Sequence, residues 1–289
     1  MQASGAHGAP SQTWRPSVLL TVDIGNTQTT LGLFDEAGSC RRQWRMASDK
    51  TDTADELHER LFGYFLMLGL RLGDVTHVAL ASVVPILTRE WQYMLGHILK
   101  QEDVLVVDAT RDCGIAIDMP DRRQVGADRI ANAVAARDSY GAPVIVVDFG
   151  TATNIDVVDR KGAFRGGAIM PGLLLSASAL FSQAARLSSV NMVAPAHALG
   201  DSTETAVQSG LVIGAAAQAE GLVRRIIDEL RAEDSQLGKV TVVGTGGLAH
   251  EISGVTDMFD AIDCDLTVRG IYRIWAHRNQ KRRASQRDR

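Results

Sequence analysis

One short polar phrase occurs twice in the chain, each time directly after an apolar, β-prone run. The first copy is VDIGNTQTTL (Val22–Leu31) and the second is VDFGTATNID (Val147–Asp156). In each copy an aspartate is followed by any residue, a glycine and then threonines. Glycine lets successive backbone N–H groups converge on an anion, threonine hydroxyls add donors, and aspartate can hold a cation or its water shell. The combination is typical of a site for phosphate and a divalent cation.

A plain hairpin turn is the alternative interpretation of either copy, because Asp, Gly, Asn and Thr are ordinary turn residues. Two copies in matching strand–turn–strand contexts, aligned with a one-residue gap, favour the phosphate interpretation. The sequence has no GxxxxGK[ST] and no GxGxxG after a strand, which excludes a Walker-type loop and a Rossmann turn. VVGTGGLA (Val242–Ala249), a strand ending on glycines, is the candidate for close approach of a base or ribose.

A third stretch, QVGADRIAN (Gln124–Asn132), offers a base for an acceptor hydroxyl. It places Asp128 and Arg129 at the predicted start of a helix. An aspartate in a first helical turn is often only a partner of the helix dipole. On these residues alone, both interpretations of Asp128 stay open.

Apolar periodicity and turn residues predict the elements that carry these phrases. A capping box, Thr53 with Glu56, supports the first helix. The pattern restarts near Tyr140–Gly141, so we expect two similar α/β halves, residues 17–140 and 141–275. Predicted strands are Ser17–Asp23, Leu31–Phe34, His77–Val84, Asp103–Asp108, Pro143–Asp148, Ile155–Asp159 and Lys239–Gly247. Predicted helices are Thr53–Leu68, Thr88–Leu99, Gly126–Gly141, Leu173–Ser182 and Glu204–Leu230, followed by a short helix near the end.

The amino-acid composition argues against several classes of function. The net charge of −4, from 30 basic and 34 acidic residues, argues against general nucleic-acid affinity. The most apolar window, Leu61–Leu70, is too short to span a bilayer, so no membrane segment is expected. Three cysteines lack the spacing of a zinc site or a disulfide framework, which fits a reducing cytoplasm: Cys40, Cys113 and Cys264.

The two ends of the chain are expected to lie outside the folded halves. Residues 1–16 are rich in Ala, Ser, Gly and Pro and are predicted to be a disordered lead-in. Residues 276–289 form a basic tail, which we interpret as a solvated, mobile end in preference to an RNA- or membrane-binding arm.

Seven stretches, taken in order from Leu19 to Ile274, resemble the type III pantothenate kinases, members of the actin/hexokinase/heat-shock-ATPase superfold. The resemblance implies two similar ribonuclease-H-like (actin-like ATPase) halves with a nucleotide cleft between them. It also implies ATP-dependent phosphorylation of pantothenate to 4′-phosphopantothenate, the first step of coenzyme A biosynthesis. The stretches are DIGNTQTTLGLF, ASVVP, VGADRIANAVAA, VDFGTATNID, FRGGAIMPGL, GDSTETAVQSG and GTGGL.

The resemblance further implies roles for individual residues. Asp128 would be the catalytic proton acceptor, Asp23 would face the Mg²⁺ that accompanies ATP, and Asp148 would hold a monovalent cation, K⁺ or NH₄⁺. A homodimer is implied, with pantothenate and ATP as its small-molecule partners. The ATP-binding set would be Asp23, Ile24, Gly25, Asn26, Thr27, Gln28, Thr29, Thr30, Thr151, Gly246 and Gly247. The pantothenate-binding set would be Gly126, Ala127, Asp128, Arg129 and Thr203.

Two positions depart from the family's pattern. Asn154 stands where the family writes a final threonine, and Met119 stands where it tends to carry tyrosine. We expect Asn154 to alter the detail of the second loop without loss of function, and Met119 to alter the shape of the pantothenate pocket.

Two other functions remain as alternatives: a non-catalytic regulatory or accessory factor on the same fold, and another small-molecule kinase of the superfold. Retention of Asp23, Asp128, Asp148 and Thr151 argues against the first. The GADR stretch and Thr203 argue against the second, because they belong to the pantothenate pattern and not to the superfold at large.

Overall fold

The computed structural model describes residues 19–101, 103–183 and 190–287, so the predicted lead-in lies outside the described residues. The first part of the chain forms six strands and three helices, with 3₁₀ turns at Leu72–Asp74 and Arg122–Gln124. In chain order these elements are β1 (Leu19–Ile24), β2 (Gln28–Phe34), β3 (Cys40–Ala47), α1 (Ala54–Met67), β4 (His77–Ser82), α2 (Pro85–Tyr93), β5 (Val104–Val106), β6 (Ala116–Ile117) and α3 (Ala127–Tyr140).

The second part of the chain begins, like the first, with three successive strands. Its elements are β7 (Val144–Phe149), β8 (Ala152–Val158), β9 (Ala163–Pro171), α4 (Leu173–Gln183), α5 (Thr203–Gln208), α6 (Gly214–Glu233), β10 (Thr241–Thr245), α7 (Ala249–Ser253), β11 (Ala261–Ile262) and α8 (Leu266–Arg287). Single π-helical turns extend α2 over Met94–Ile98 and join α5 to α6 over Ser209–Ile213.

The two sheets share one topology. The first has the order β3-β2-β1-β4-β5, and the second has β9-β8-β7-β10-β11 with β6 added beside β9. In each, three antiparallel strands come first and two parallel strands follow on the other side of the opening strand. This repetition confirms the predicted fold class of two similar α/β halves.

Each half is completed by an element from the other part of the chain. Strand β6 precedes the predicted boundary but pairs with β9 in the second sheet. Helix α8 follows the second sheet but packs against β1, β2 and β4 of the first. The boundary at residues 140 and 141 stays a prediction, and the halves are interlocked across it.

Helices α3 and α8 pack against each other between the sheets, with a close approach at Gly270. A Cβ at Gly270 would lie 1.9 Å from the carbonyl oxygen of Ala131, so only glycine permits this approach. The helices and the inward faces of both sheets form one central core, with a separate outer core behind each sheet. The catalytic candidate Asp128 therefore lies on the first turn of a helix that is held from several sides.

Several parts of the fold differ from the sequence prediction. Strands β3 and β9 and the two-residue strands β6 and β11 were not predicted. The terminal helix is 22 residues long and continues to Arg287, where we expected a short helix and a mobile basic end. Its basic residues meet acidic partners, Lys281 with Asp112 and Arg282 with Asp103, which explains the added order. Among the described residues, no helix is both long and apolar enough to cross a membrane.

Candidate active site

The two repeated phrases form two hairpin loops that touch at their tips. In the first hairpin Asp23 lies opposite Thr30 across β1 and β2, and in the second Asp148 lies opposite Asn154 across β7 and β8. The second loop is one residue shorter, which accounts for the one-residue gap between the copies. Asn154 thus occupies the strand position of Thr30 and leaves the hairpin pairing intact.

The contact between the loops is a hydrogen bond between two hydroxyl groups. Thr27 Oγ1 and Thr151 Oγ1 are 2.8 Å apart, although they are distant in sequence. Both side chains are exposed, so both hydroxyls are accessible to a ligand in the cleft. The structure therefore brings together the two predicted phosphate loops, one from each half.

Strand alternation turns the second aspartate toward the centre of the molecule. Val144 and Val146 belong to the central core, whereas Ile145 and Val147 belong to the outer core. Because alternate residues of a strand share a face, Asp148 continues the inward row.

Glycines allow backbone to approach the carboxylates. A Cβ at Gly246 would lie 2.5 Å from Asp148 Oδ1, and a Cβ at Gly126 would lie 2.5 Å from Asp128 Oδ1. Gly246 also has a φ of +94°, which side chains rarely adopt. The neighbouring Gly247 is exposed with open space around it, so a flat group could lie directly on its backbone. This pair is where we predicted contact with adenosine.

Three carboxylates converge beneath the loops. Burial raises the pKa of Asp23 well above its usual value, and the charges of Asp128 and Asp148 raise it further. Burial and the charge of Asp128 raise the pKa of Asp148 to about 6, against a hydrogen bond from Asn132 that lowers it. Burial also raises the pKa of Asp128, although the N–H and guanidinium of Arg129 oppose the rise. The site has an excess of negative charge, which favours cation binding.

Asp148 is held by a chain of hydrogen bonds from α3 and α8. The Nδ2 of Asn132 donates to Asp148 Oδ2 at 3.0 Å, and the hydroxyl of Thr267 donates to Asn132 Oδ1 at 2.8 Å. Asn132 is buried and uses both ends of its amide in this way. The arrangement fixes one carboxylate oxygen and leaves Oδ1 on the side of Gly246.

The guanidinium of Arg129 contacts the second sheet, although its charge still acts on Asp128. Its Nε and Nη2 donate to the same oxygen of Asp156, at 2.7 and 2.6 Å. Its guanidinium lies 5.6 Å from the ring centre of Phe164, a cation–π contact. Of the predicted pantothenate-binding set, the stretch from Gly126 to Arg129 is therefore beside the carboxylate cluster.

Thr203 and Met119 are placed differently. Thr203 is exposed and is the first residue of α5, the helix whose N-cap Ser202 accepts the N–H of Thr205. Within the residues that the structure describes, no hydrogen bond joins it to Asp128 or Arg129. Met119 packs against Gly166 of β9, with its sulfur 3.4 Å from the position a Cβ would take there.

Three residues of the site were missed by sequence reasoning: Asn132, Asp156 and Thr267. The first two lie inside the phrases that were singled out, and each had a signal. Asn132 is a polar residue on the apolar face of α3, and Asp156 interrupts an otherwise apolar strand. Thr267 had none, because its partner is far away in the sequence.

The site fits cations that are held partly by phosphate oxygens. Among the described residues there is no group of three or more His, Cys, Asp or Glu side chains that could enclose a metal by themselves. Mg²⁺ in phosphoryl-transfer sites is usually bound by one or two carboxylates together with substrate phosphates. Asp23, on the first hairpin, matches that kind of donor set, and Asp148, on the second, is a single carboxylate available to another cation.

Two interlocked α/β halves, facing Asp–Gly–Thr hairpins and a carboxylate cluster define an actin-like nucleotide-binding phosphotransferase. A sequence model described as type III pantothenate kinase matches residues 19–225. The chain is 42% identical over 255 residues to the type III pantothenate kinase of Thermomicrobium roseum, covering 88% of this chain and 95% of that protein. It is 43% identical over 277 residues to the one from Rhodococcus jostii, with 93% and 98% covered. The chain belongs to the type III pantothenate kinase family.

A solved structure supports the fold independently. A Baf family protein from Campylobacter jejuni superposes with a TM-score of 0.57 over 90% of this chain and 99% of that one. Their sequences are only 18% identical, so this likeness bears on the fold alone.

Proposed function

We propose that this chain transfers the γ-phosphoryl group of ATP to the hydroxyl of pantothenate, giving 4′-phosphopantothenate and ADP in the first step of coenzyme A biosynthesis. The observation that carries the proposal is the meeting of the two hairpins over three carboxylates, in a member of this family. Pantothenate kinases act on small soluble substrates, and we place this one in the cytoplasm.

Asp128 is the proposed proton acceptor. As the hydroxyl oxygen forms its bond to the γ-phosphorus, the bond from that phosphorus to the β–γ bridging oxygen breaks and ADP leaves. The hydroxyl proton passes to the Asp128 carboxylate. Burial raises the pKa of Asp128 and so makes its ionised form a stronger base than an exposed aspartate.

The phosphate groups of ATP are proposed to lie between the hairpin loops. The first loop supplies backbone N–H groups and the hydroxyl of Thr27, and the second supplies Thr151. The adenosine would rest on Gly246 and Gly247. Convergent donors fixed in advance are the main means by which proteins stabilise the charge of a transferring phosphoryl group.

Two cations are proposed, Mg²⁺ at Asp23 and K⁺ or NH₄⁺ at Asp148. The support is electrostatic: the cluster is anionic, and the triphosphate would add further negative charge. When bound, the cations would neutralise charge on the phosphates. Asn132 and Thr267 orient Asp148 for this purpose.

We further propose a homodimer formed through α4 and the segments beside it. Five large apolar side chains on β9, on α4 and after it are exposed: Ile169, Leu174, Leu175, Leu180 and Val193. Exposed apolar side chains that lie together mark interaction surfaces, and this stretch is our candidate for one. The helix is also linked to the site, because Gly172, just before it, donates its N–H to the carbonyl of Thr151 at 3.1 Å.

One assay tests the kinase function against its alternatives. Purified protein is incubated with ATP, Mg²⁺ and pantothenate, and ADP release is compared in KCl and in NaCl. We expect release that requires pantothenate and is faster in KCl. Release no greater than without pantothenate would leave an accessory role, and release with a sugar or acetate instead would identify a different kinase.

A further inference from the structure

Asp156 is an unusual residue for the interior of a strand, because burial raises the pKa of its carboxyl to about 7 against the opposing effect of the paired Arg129. It lies on β8 with no exposed surface, among apolar residues such as Ile155 and Val157. Burying a carboxylate is costly unless it is paired and fully hydrogen-bonded. Both arginine N–H groups reach only its Oδ1, while Oδ2 has no hydrogen-bond partner within the described residues.

The partner of this buried charge is the residue next to the catalytic base. Arg129 follows Asp128 in the first turn of α3, and its side chain is 12% exposed. Its guanidinium is held on two sides, by the carboxylate of Asp156 and by the ring of Phe164. Both contacts draw the guanidinium toward the second sheet.

An unrestrained arginine beside Asp128 would be harmful to catalysis. A direct Arg–Asp pair lowers the pKa of the carboxyl by one to three units and makes it a poor base. A bidentate pair would also occupy the oxygens that must accept the proton. Here Asp128 instead accepts the backbone N–H of Arg129 at 2.8 Å, and its pKa remains raised.

We propose that Asp156 is a positioning residue that holds the guanidinium of Arg129 on β8, and thereby keeps the neighbouring Asp128 free to accept the substrate proton. This inference rests on the proposed function of Asp128 and adds a partner that controls it. The charged groups around Asp128 come from four elements: Asp23 on β1, Arg129 on α3, Asp148 on β7 and Asp156 on β8.

Replacing Asp156 should change the base as well as the rate. In Asp156→Asn the guanidinium loses its charged partner and can turn to Asp128. We expect kcat to fall by about tenfold or more, a part of the contribution typical of a general base, with KM for ATP changed less than about twofold. The acid limb of the kcat–pH profile should move to lower pH, because the paired Asp128 would hold its proton less tightly.

Two further variants separate this role from the simple loss of a nearby charge. Adding Arg129→Gln to Asp156→Asn removes the guanidinium, so the acid limb, measured at saturating pantothenate because Arg129 is in the predicted pantothenate-binding set, should return toward its original pH. Because the Asp128 and Asp156 carboxyls interact, loss of the Asp156 charge would itself lower the Asp128 pKa, so the deciding variant is one that changes no charge. Phe164→Leu, which removes the second restraint, should give a smaller shift in the same direction.

The matched control is Asp234→Asn, which breaks an exposed pair with Arg160 of similar length, 2.6 Å. It should leave the profile unchanged. A second readout does not need turnover: carboxyl ¹³C NMR of the protein without substrates should show the Asp128 pKa lower in Asp156→Asn. An unchanged Asp128 pKa with an unchanged acid limb would overturn the inference. Absence of pantothenate-dependent turnover in the unaltered protein would instead refute the proposed function.

Discussion

At the scale of single residues, the site gathers carboxylates that repel one another. Asp23, Asp128 and Asp148 come from two sheets and one helix, and each has a raised pKa. Such a cluster is unfavourable in the absence of ligands. Bound cations and a hydroxyl that donates its proton would relieve the repulsion. The unfavourable cluster is therefore expected at a site that binds such ligands.

The base assignment is tested by Asp128→Asn. The amide keeps the shape of the side chain but cannot accept the hydroxyl proton, so kcat should fall by about 10² to 10⁴. The Michaelis constant for ATP should change little, since Asp128 is assigned to the acceptor side. Steady-state kinetics measure both, with the half-buried Asp121→Asn as control; turnover close to that of the unaltered protein would refute the assignment.

The raised pKa of Asp148 predicts that the stability of the folded protein depends on pH. Its folded pKa, about 6, is above its ordinary value of 3.8, so the folded state holds the proton more tightly. Its contribution to stability is therefore fully present below pH 3.8 and is lost as the pH rises through about 6. In K⁺-free buffer, Asp148→Asn should raise the Tm by a few degrees at pH 8 and much less at pH 4.5.

The control for that measurement is Asp49, whose pKa is shifted in the opposite direction. The carboxylate of Asp49 accepts hydrogen bonds from the hydroxyl and the N–H of Thr51, which lower its pKa. Asp49→Asn should not stabilise the protein at pH 8. A Tm difference for Asp148→Asn that is independent of pH would contradict the electrostatic description of the cluster.

Sequence reasoning found the three carboxylates of the cluster but not the residues that support them. Asp23, Asp128 and Asp148 lie in repeated or glycine-marked phrases, where residue type and spacing are informative. Asn132, Asp156 and Thr267 act through contacts across elements, and those depend on strand register and on the crossing of α3 with α8. A single sequence does not contain that geometry.

At the scale of elements, the position of the base depends on the crossing of α3 and α8. The contact is at Gly270, where a Cβ would be 1.9 Å from the Ala131 carbonyl oxygen. Ala131 lies between the base and Asn132, so a shift of the helix would disturb both. Thr267, one turn earlier on α8, adds its hydrogen bond from the same side.

Gly270→Ala should therefore separate the helices. We expect a loss of about 3 kcal/mol in the free energy of unfolding from overpacking, together with reduced kcat. Gly221→Ala is the matched control, because Gly221 lies inside α6 with nothing within 4 Å of a Cβ. That change should stabilise the protein by about 0.5–1 kcal/mol. Denaturant unfolding measures both, and equal effects would contradict the packing argument.

Most elements were predictable from periodicity, and the exceptions have physical reasons. The capping box at Thr53 and Glu56 is present in α1, and the glycine stop of α3 is at Gly141. Strand β3 escaped prediction because it is a largely exposed edge strand rich in arginine. Strand β9 escaped because Gly166 and Gly167, with positive φ, resemble a turn in the sequence.

At the scale of the whole molecule, the two halves supply complementary parts of one cleft. Each contributes a hairpin with an aspartate and a threonine, and α3 carries Asp128, the proposed base. The duplication is not symmetric, because the second loop is one residue shorter, Asn154 occupies the position of Thr30, and the halves exchange β6 and α8.

The proposed homodimer is tested on α4. Leu175→Glu places a charge in the middle of the exposed apolar surface and should convert a dimer to a monomer in size-exclusion chromatography with light scattering. Met67→Glu, at an exposed apolar position on α1, should leave the mass unchanged. A monomeric unaltered protein, or a dimer that survives Leu175→Glu, would refute this interface.

The most direct test of the central claim is identification of the product. Purified protein is incubated with ATP, Mg²⁺, KCl and pantothenate, and the reaction is followed by ³¹P NMR and mass spectrometry. We predict a phosphomonoester of pantothenate at the primary hydroxyl, formed in equal amount with ADP. ADP without a phosphorylated pantothenate, or no consumption of ATP at all, would contradict the account.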